Sequence, residues 1–172
     1  MISKKYAKYY KSQPVGDFTK LYPQLTAPSF HIWGREWDSG YRMDWFCVTE
    51  PFLMINDPHT HDFDQFLAFQ NADAAHVNDF DAEVWLYLGP EGEQEKLVIT
   101  ETCFVHVPAG MVHTPLEFRI IRKPIVFMDI ALTAQYVRVP EDKNKPIMRE
   151  EPRHLPGKEP GTSPGKKKGT GR

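Results

Sequence analysis

The sequence predicts an all-β barrel or sandwich, and three observations carry that expectation. Short runs rich in aromatic and β-branched residues recur at intervals of roughly 8–12 residues. Gly and Pro clusters punctuate them, and hardly any segment has the periodicity of a helix. The 172 residues, 41% of them hydrophobic and 13% aromatic, suffice to close one core but would be cramped as two domains. The expected organisation is an irregular N-terminal arm (1–29), a barrel (30–139) and a disordered basic Pro/Gly/Lys-rich tail (140–172).

In order along the chain, the arm is Tyr- and Lys-rich and is broken by Pro14, Pro23 and Pro28, with a short helix expected from Lys4 to Lys11. Strands are expected from Phe30 to Trp37, Tyr41 to Val48 and Phe52 to Ile55, parted by Asp38-Ser39-Gly40 and Thr49-Glu50-Pro51. Gln65 to Phe69 reads as a strand, and polar, aperiodic Asn71 to Asp81 as a loop. Glu83 to Leu88 and Leu97 to Thr100 flank Gly89-Pro90-Glu91-Gly92-Glu93, which has the composition of a hairpin connection. Cys103 to Val107, Leu116 to Ile121 and Ile125 to Leu132 complete the strands. Beyond Val139, Pro, Gly, Lys and Glu cannot bury enough apolar surface to offset the entropy of ordering.

The tail from Pro140 holds nine Lys or Arg against five Asp or Glu, so of the formal −2 charge the body carries about −6. An acidic body argues against specific nucleic-acid binding, which needs a basic face. Met1-Ile2-Ser3-Lys4-Lys5-Tyr6 leads into no apolar segment of a secretory signal. No run reaches the ~20 apolar residues of a membrane span. Cys47 and Cys103 lie in apolar runs and are expected as unpaired core thiols. The expectation is a soluble, cytoplasmic protein without a membrane partner.

The strongest chemical signal is Pro58-His59-Thr60-His61-Asp62-Phe63-Asp64-Gln65. On an extended chain alternate side chains share a face, so His59 and His61 can chelate one ion. A second signal, Val107-Pro108-Ala109-Gly110-Met111-Val112-His113, places a turn just before another histidine. Together these segments resemble the paired H-x-H and P-x-G-x-x-H motifs of the cupin superfamily, over roughly Phe52 to Leu132. The resemblance implies a single-domain double-stranded β-helix, a jelly-roll-like barrel. It further implies one divalent transition metal ion (Fe, Mn, Ni or Zn) on His59, His61 and His113 from neighbouring strands. Imidazole donors suit these metals better than Mg or Ca.

The departure from the motif lies at the acid position, where Gln65 stands in place of Glu. Gln65 is the expected fourth metal ligand through its neutral amide oxygen. The alternatives are Gln65 supporting another ligand, Asp64 or Asp62 reaching inward, or a water. Position 72, where the motif ends in Gly, is Ala. Between Ala82 and Leu88, Glu83, Trp85 and Tyr87 share one face, which makes Glu83 a candidate catalytic acid or base beside a solvated-residue reading. His106 is assigned a structural role, His76 is placed in a loop near the site, and His31 and His154 match no motif.

No nucleophile elbow, phosphate loop, dinucleotide fingerprint, C-x-x-C pair or helix-turn-helix segment occurs. The expected function is a metal-dependent small-molecule enzyme, a dioxygenase, isomerase or lyase acting on an oxygen-rich or anionic substrate. The alternative is a non-catalytic small-molecule binder or sensor. A homodimer is expected, with the aromatic arm covering its own barrel or the partner's.

Overall fold

The computed structural model describes residues 5–12 and 14–149. Strands β1 (Val15–Gly16), β2 (Ser29–Trp33), β3 (Arg42–Val48), β4 (Phe52–Ile55), β5 (His59–Thr60) and β6 (Gln65–Asn71) form the first half. The second half comprises β7 (Ala82–Leu88), β8 (Glu95–Ile99), β9 (Cys103–Val107), β10 (His113–Ile121), β11 (Ile125–Ala131), β12 (Val137–Pro140) and β13 (Met148–Arg149). Among the described residues, helical structure is confined to single 3₁₀ turns at Ala7–Tyr9, Gly34–Trp37 and Ala74–His76.

Two antiparallel sheets enclose the core. One runs β1-β2-β3-β11-β6-β9, the other β13-β12-β5-β10-β7-β8, with β4 beside β10. From β8 onward the chain alternates between them, β9 in the first sheet, β10 in the second and β11 in the first. That crossing winds the barrel as a double-stranded β-helix. The expected strand from Phe30 to Trp37 stops at Trp33, where Gly34–Trp37 coils. A Cβ on Gly34 would meet the Ser39 and Tyr41 carbonyl oxygens at 2.5 and 2.6 Å, so only glycine lets the chain double back here.

The core is organised around Phe127. Its ring stacks on Phe69 at 5.1 Å and on Phe46 at 5.9 Å, and receives the edge of Phe118 at 5.5 Å. Inward positions follow the period of two: Val84 and Leu86 of β7, and Leu116 and Phe118 of β10, are buried between the sheets.

The arm packs over its own barrel, one of the two arrangements expected for it: Phe18 and Leu25 are buried in the core and Phe18 meets Phe46 at 4.9 Å. At the other end the strands continue past Val139, where the composition predicts a disordered tail: Met148 pairs with Arg138, and Arg149 with Val137. The expected disorder of 150–172 lies outside the described residues. No helix among the described residues is long and apolar enough to cross a membrane.

Phe118→Ala should cost about 3–5 kcal/mol, because a buried ring is lost against Phe127 and Phe52. Phe104→Ala, at a side chain 68% exposed, should stay within about 0.5 kcal/mol. Urea denaturation of both variants beside the wild type measures the difference.

Candidate metal centre

His59 lies on β5 and is the cross-strand partner of His113 at the start of β10, with ring centroids 4.4 Å apart. His61 lies just past β5 and meets the same two rings at 4.9 and 5.0 Å. Its own ring stacks on Phe63 at 4.6 Å and leans on Tyr136 at 4.8 Å. The alternation that places His59 and His61 on one side thus operates as the sequence implies, and all three rings are buried.

Backbone carbonyls fix the tautomers. His59 Nδ1 lies 2.8 Å from the Asp57 oxygen, His61 Nδ1 2.5 Å from that of Val137 and His113 Nδ1 3.2 Å from that of Met111. A carbonyl only accepts, so each Nδ1 carries the proton and each Nε2 keeps its lone pair. The ligand atoms of the three rings lie within 4.8 Å of one another, a buried cluster able to coordinate a divalent transition metal. No other such His, Cys, Asp or Glu cluster occurs among the described residues.

Two turns hold this arrangement. Gly110, at φ +83°, lets the Pro108–Gly110 turn curl so that its N–H donates to the His61 oxygen at 2.8 Å. Thr114 Oγ1 donates to the Asp57 oxygen at 2.7 Å, reinforcing the carbonyl that orients His59. Three rings from two motif segments converge inside a barrel whose strands cross between two sheets. This is the cupin fold.

No family model and no curated protein matches the chain. Among solved structures it is similar to a recombinant oxalate oxidase in complex with glycolate, at 13% identity and a TM-score of 0.48, over 74% of this chain and 60% of that one. It is also similar to the oxalate decarboxylase of Bacillus subtilis studied for its Mn(II) centres, at 10% identity and TM-score 0.46, over 66% and 28%. The same decarboxylase at pH 4.6 gives 11% identity and TM-score 0.43, over 62% and 25%. The chain therefore spans little more than a quarter of the decarboxylase chain at most. Strand order and histidine placement, rather than likeness at this level, define the fold.

Gln65 lines the same small cavity as His59 and His113. Its Nε2 donates to Asp129 Oδ1 at 2.6 Å and to the Tyr136 hydroxyl at 3.2 Å, which leaves Oε1 buried without a hydrogen-bond partner. Asp64 instead accepts from the Ala109 N–H at 3.0 Å, and Asp62 is exposed, so neither of these alternatives reaches the cluster.

Glu83 is not brought to the cavity. It holds the parity opposite to buried Val84 and Leu86 and accepts from Trp85 Nε1 at 2.6 Å. His106 is exposed, stacked on Phe66 and 3.6 Å from Asp64. His76 is bonded to Asp73, while Cys47 and Cys103 are free and half-buried.

Residues around the cavity that are absent from the sequence-based expectation include Arg42, Asp44, Asp129, Tyr136 and Arg138. Arg42 and Asp44 share the inward parity of Phe46 and Val48, so charged residues on an otherwise apolar face are a usable signal. Asp44 bonds both His31 and Arg42, and Arg42 lies 3.9 Å over the Tyr136 ring. Against the upward push of burial, these bonds and the Arg42 charge hold the Asp44 carboxyl below its usual range. Asp129, by contrast, is raised by burial to about 6 despite Arg42 nearby. Burial lowers His59 to about 2, His61 to about 3 and His113 to about 4.

In metal-free protein, the unfolded chain protonates these histidines near pH 6.5 while the folded chain keeps them neutral to below about pH 4. Histidine-linked stability is thus complete above pH 6.5 and falls on acidification. Asp129 acts in the opposite direction between pH 3.8 and 6, because the folded form keeps its proton. Three groups outweigh one, so these four should together remove roughly 2–3 kcal/mol of stability per pH unit between pH 6 and 5. Urea melts of chelator-treated protein across that range test the sign; flat or rising stability on acidification contradicts it.

Proposed function

We propose that the chain is a metal-dependent enzyme of the cupin type. Its ion is held by His59, His61, His113 and Gln65, and its substrate is a small organic anion. One observation carries the reading: Nε2 of His59, Nε2 of His61 and Oε1 of Gln65 are buried acceptors without partners. An unpaired buried polar atom costs roughly 1–3 kcal/mol, a cost that a cation coordinated by it would relieve. The donor set of imidazoles and an amide oxygen fits a first-row transition ion.

When bound, the ion supplies a Lewis acid or a redox centre. Because all four donors are neutral, its full charge remains to attract an anion, in a cavity that Arg42 and Arg138 also line. The two hydrogen bonds on Gln65 Nε2 keep its Oε1 from rotating away. Asp129, rather than Glu83, takes the acid–base role, since its carboxyl lines the cavity and exchanges a proton near pH 6.

His59→Ala, His61→Ala and His113→Ala should each lose most metal, read by mass spectrometry on protein purified without added ion. Full occupancy in any one of them removes that ligand. Gln65→Glu should tighten divalent metal binding in a chelator competition at pH 7, because the new carboxylate ionises on the cation while Asp129, facing it, keeps its proton. Unchanged or weaker binding rejects Gln65 as a ligand and leaves it as a support for Asp129. In a turnover screen of organic carboxylates, Asp129→Asn should lose activity while retaining metal. Carboxylate binding without turnover by the metal-loaded wild type would favour the non-catalytic binder.

A further inference from the structure

Beside the metal centre lies a groove of about 320 Å³. Met54 to Asp57, leading from β4 toward β5, forms one wall, and the β12–β13 hairpin forms the other with Pro140, Pro146 and Met148. Lys145 Nζ meets Asp57 Oδ1 at 2.5 Å and ties the two walls together. Met54, Ile55, His59 and Arg138 line both this groove and the inner cavity, so the two spaces adjoin along these four residues.

Size separates their occupants. The inner cavity measures about 30 Å³. Organic ligands occupy pockets of about 300–1,000 Å³, a range the groove reaches and the inner cavity does not. Only the groove has room for an organic body. Half of its lining side chains are apolar: Met54, Ile55, Pro140, Pro146 and Met148. Lys145 is engaged with Asp57, and Arg138 lines both spaces at their junction. With Asp57 and Asp129 close by, a single guanidinium suits a monoanion better than a dianionic phosphate.

We infer that the groove seats the apolar body of an amphipathic monocarboxylate, whose carboxylate is held by Arg138 where the groove meets the metal centre. The inference deepens the metal-enzyme reading and rests on it for any chemistry after binding; the seat itself does not require the ion.

The test titrates acetate, hexanoate and hexan-1-ol calorimetrically into the full chain, metal-free and metal-loaded, with metal content measured on each sample. Hexanoate should bind at least about tenfold tighter than acetate, because its added methylenes are buried. It should also bind at least about tenfold tighter than hexan-1-ol, because only the carboxylate pairs with Arg138. Met148→Ser, at a half-exposed wall residue, should shrink the first ratio. Arg138→Met should abolish the second, and Arg138→Lys, which preserves the charge if the Met variant fails to fold, should retain part of it.

Equal binding of acetate and hexanoate by the wild type overturns the inference, as do both ratios surviving Met148→Ser and Arg138→Met. Flat ratios in a metal-loaded protein defeat the groove alone. Intact ratios in a protein that takes up no metal support the groove and defeat the metal-enzyme reading.

Discussion

Three imidazoles facing one another inside a barrel must all remain neutral, and much of the local architecture meets that requirement. A proton on any Nε2 would place a cation beside two other rings with little water to solvate it. The three backbone carbonyls fix the proton on Nδ1 and come from separate segments: Asp57 before β5, Met111 before β10 and Val137 on β12. The orientation of His61 therefore depends on a strand 76 residues away in sequence. In turn β12 is positioned by β5, through Val139 opposite Thr60 and Pro140 opposite His59. Site and closing strand hold each other in place.

The same economy of alternation sorts polarity along the barrel. Arg42, Ala131 and Gln65 share one cross-strand row of β3, β11 and β6, and Asp44, Asp129 and Leu67 share the next inward row. Phe46, Phe127 and Phe69 form the row beyond it, and Val48, Ile125 and Asn71 the last. Charge is thus confined to one end and the aromatic cluster to the other. The aromatic row is buried, so it gives the charged rows beside it a low-dielectric floor. Burial is the largest influence that raises Asp129 and lowers the histidines.

The legibility of each feature in the sequence depends on how local its signal is. His59, His61, Gly110 and His113 lie in two short motifs whose geometry depends on strand alternation and one positive-φ turn, so the sequence alone displays them. Arg42 and Asp44 are legible in principle, as charges on the inward parity of a strand. Tyr136 and Arg138 are not, because Val137–Pro140 is a four-residue strand whose position depends on pairing with β5 rather than on its own composition. Glu83 shows the converse limit. Alternation gives its parity correctly, but only the packed sheet decides which parity faces the cavity. The arm reads as a separate piece because its prolines break regular structure, yet Phe18 and Leu25 need no regular element to bury their side chains.

The change from Glu to Gln at the fourth position acquires a physical sense once Asp129 is seen. A glutamate here would face Asp129 Oδ1, which now accepts from the Gln65 amide at 2.6 Å, and two carboxylates at that distance cannot both ionise. With Gln65 the negative charge stands one hydrogen bond behind the side chain that lines the cavity. The amide has two distinct ends: its oxygen is buried without a hydrogen-bond partner, and its N–H₂ meets the carboxylate. Asp129 is itself flanked across the strands by Asp44; burial and the Asp44 charge raise its proton affinity, while Arg42 and the Gln65 amide lower it, and the balance leaves the carboxyl at about 6.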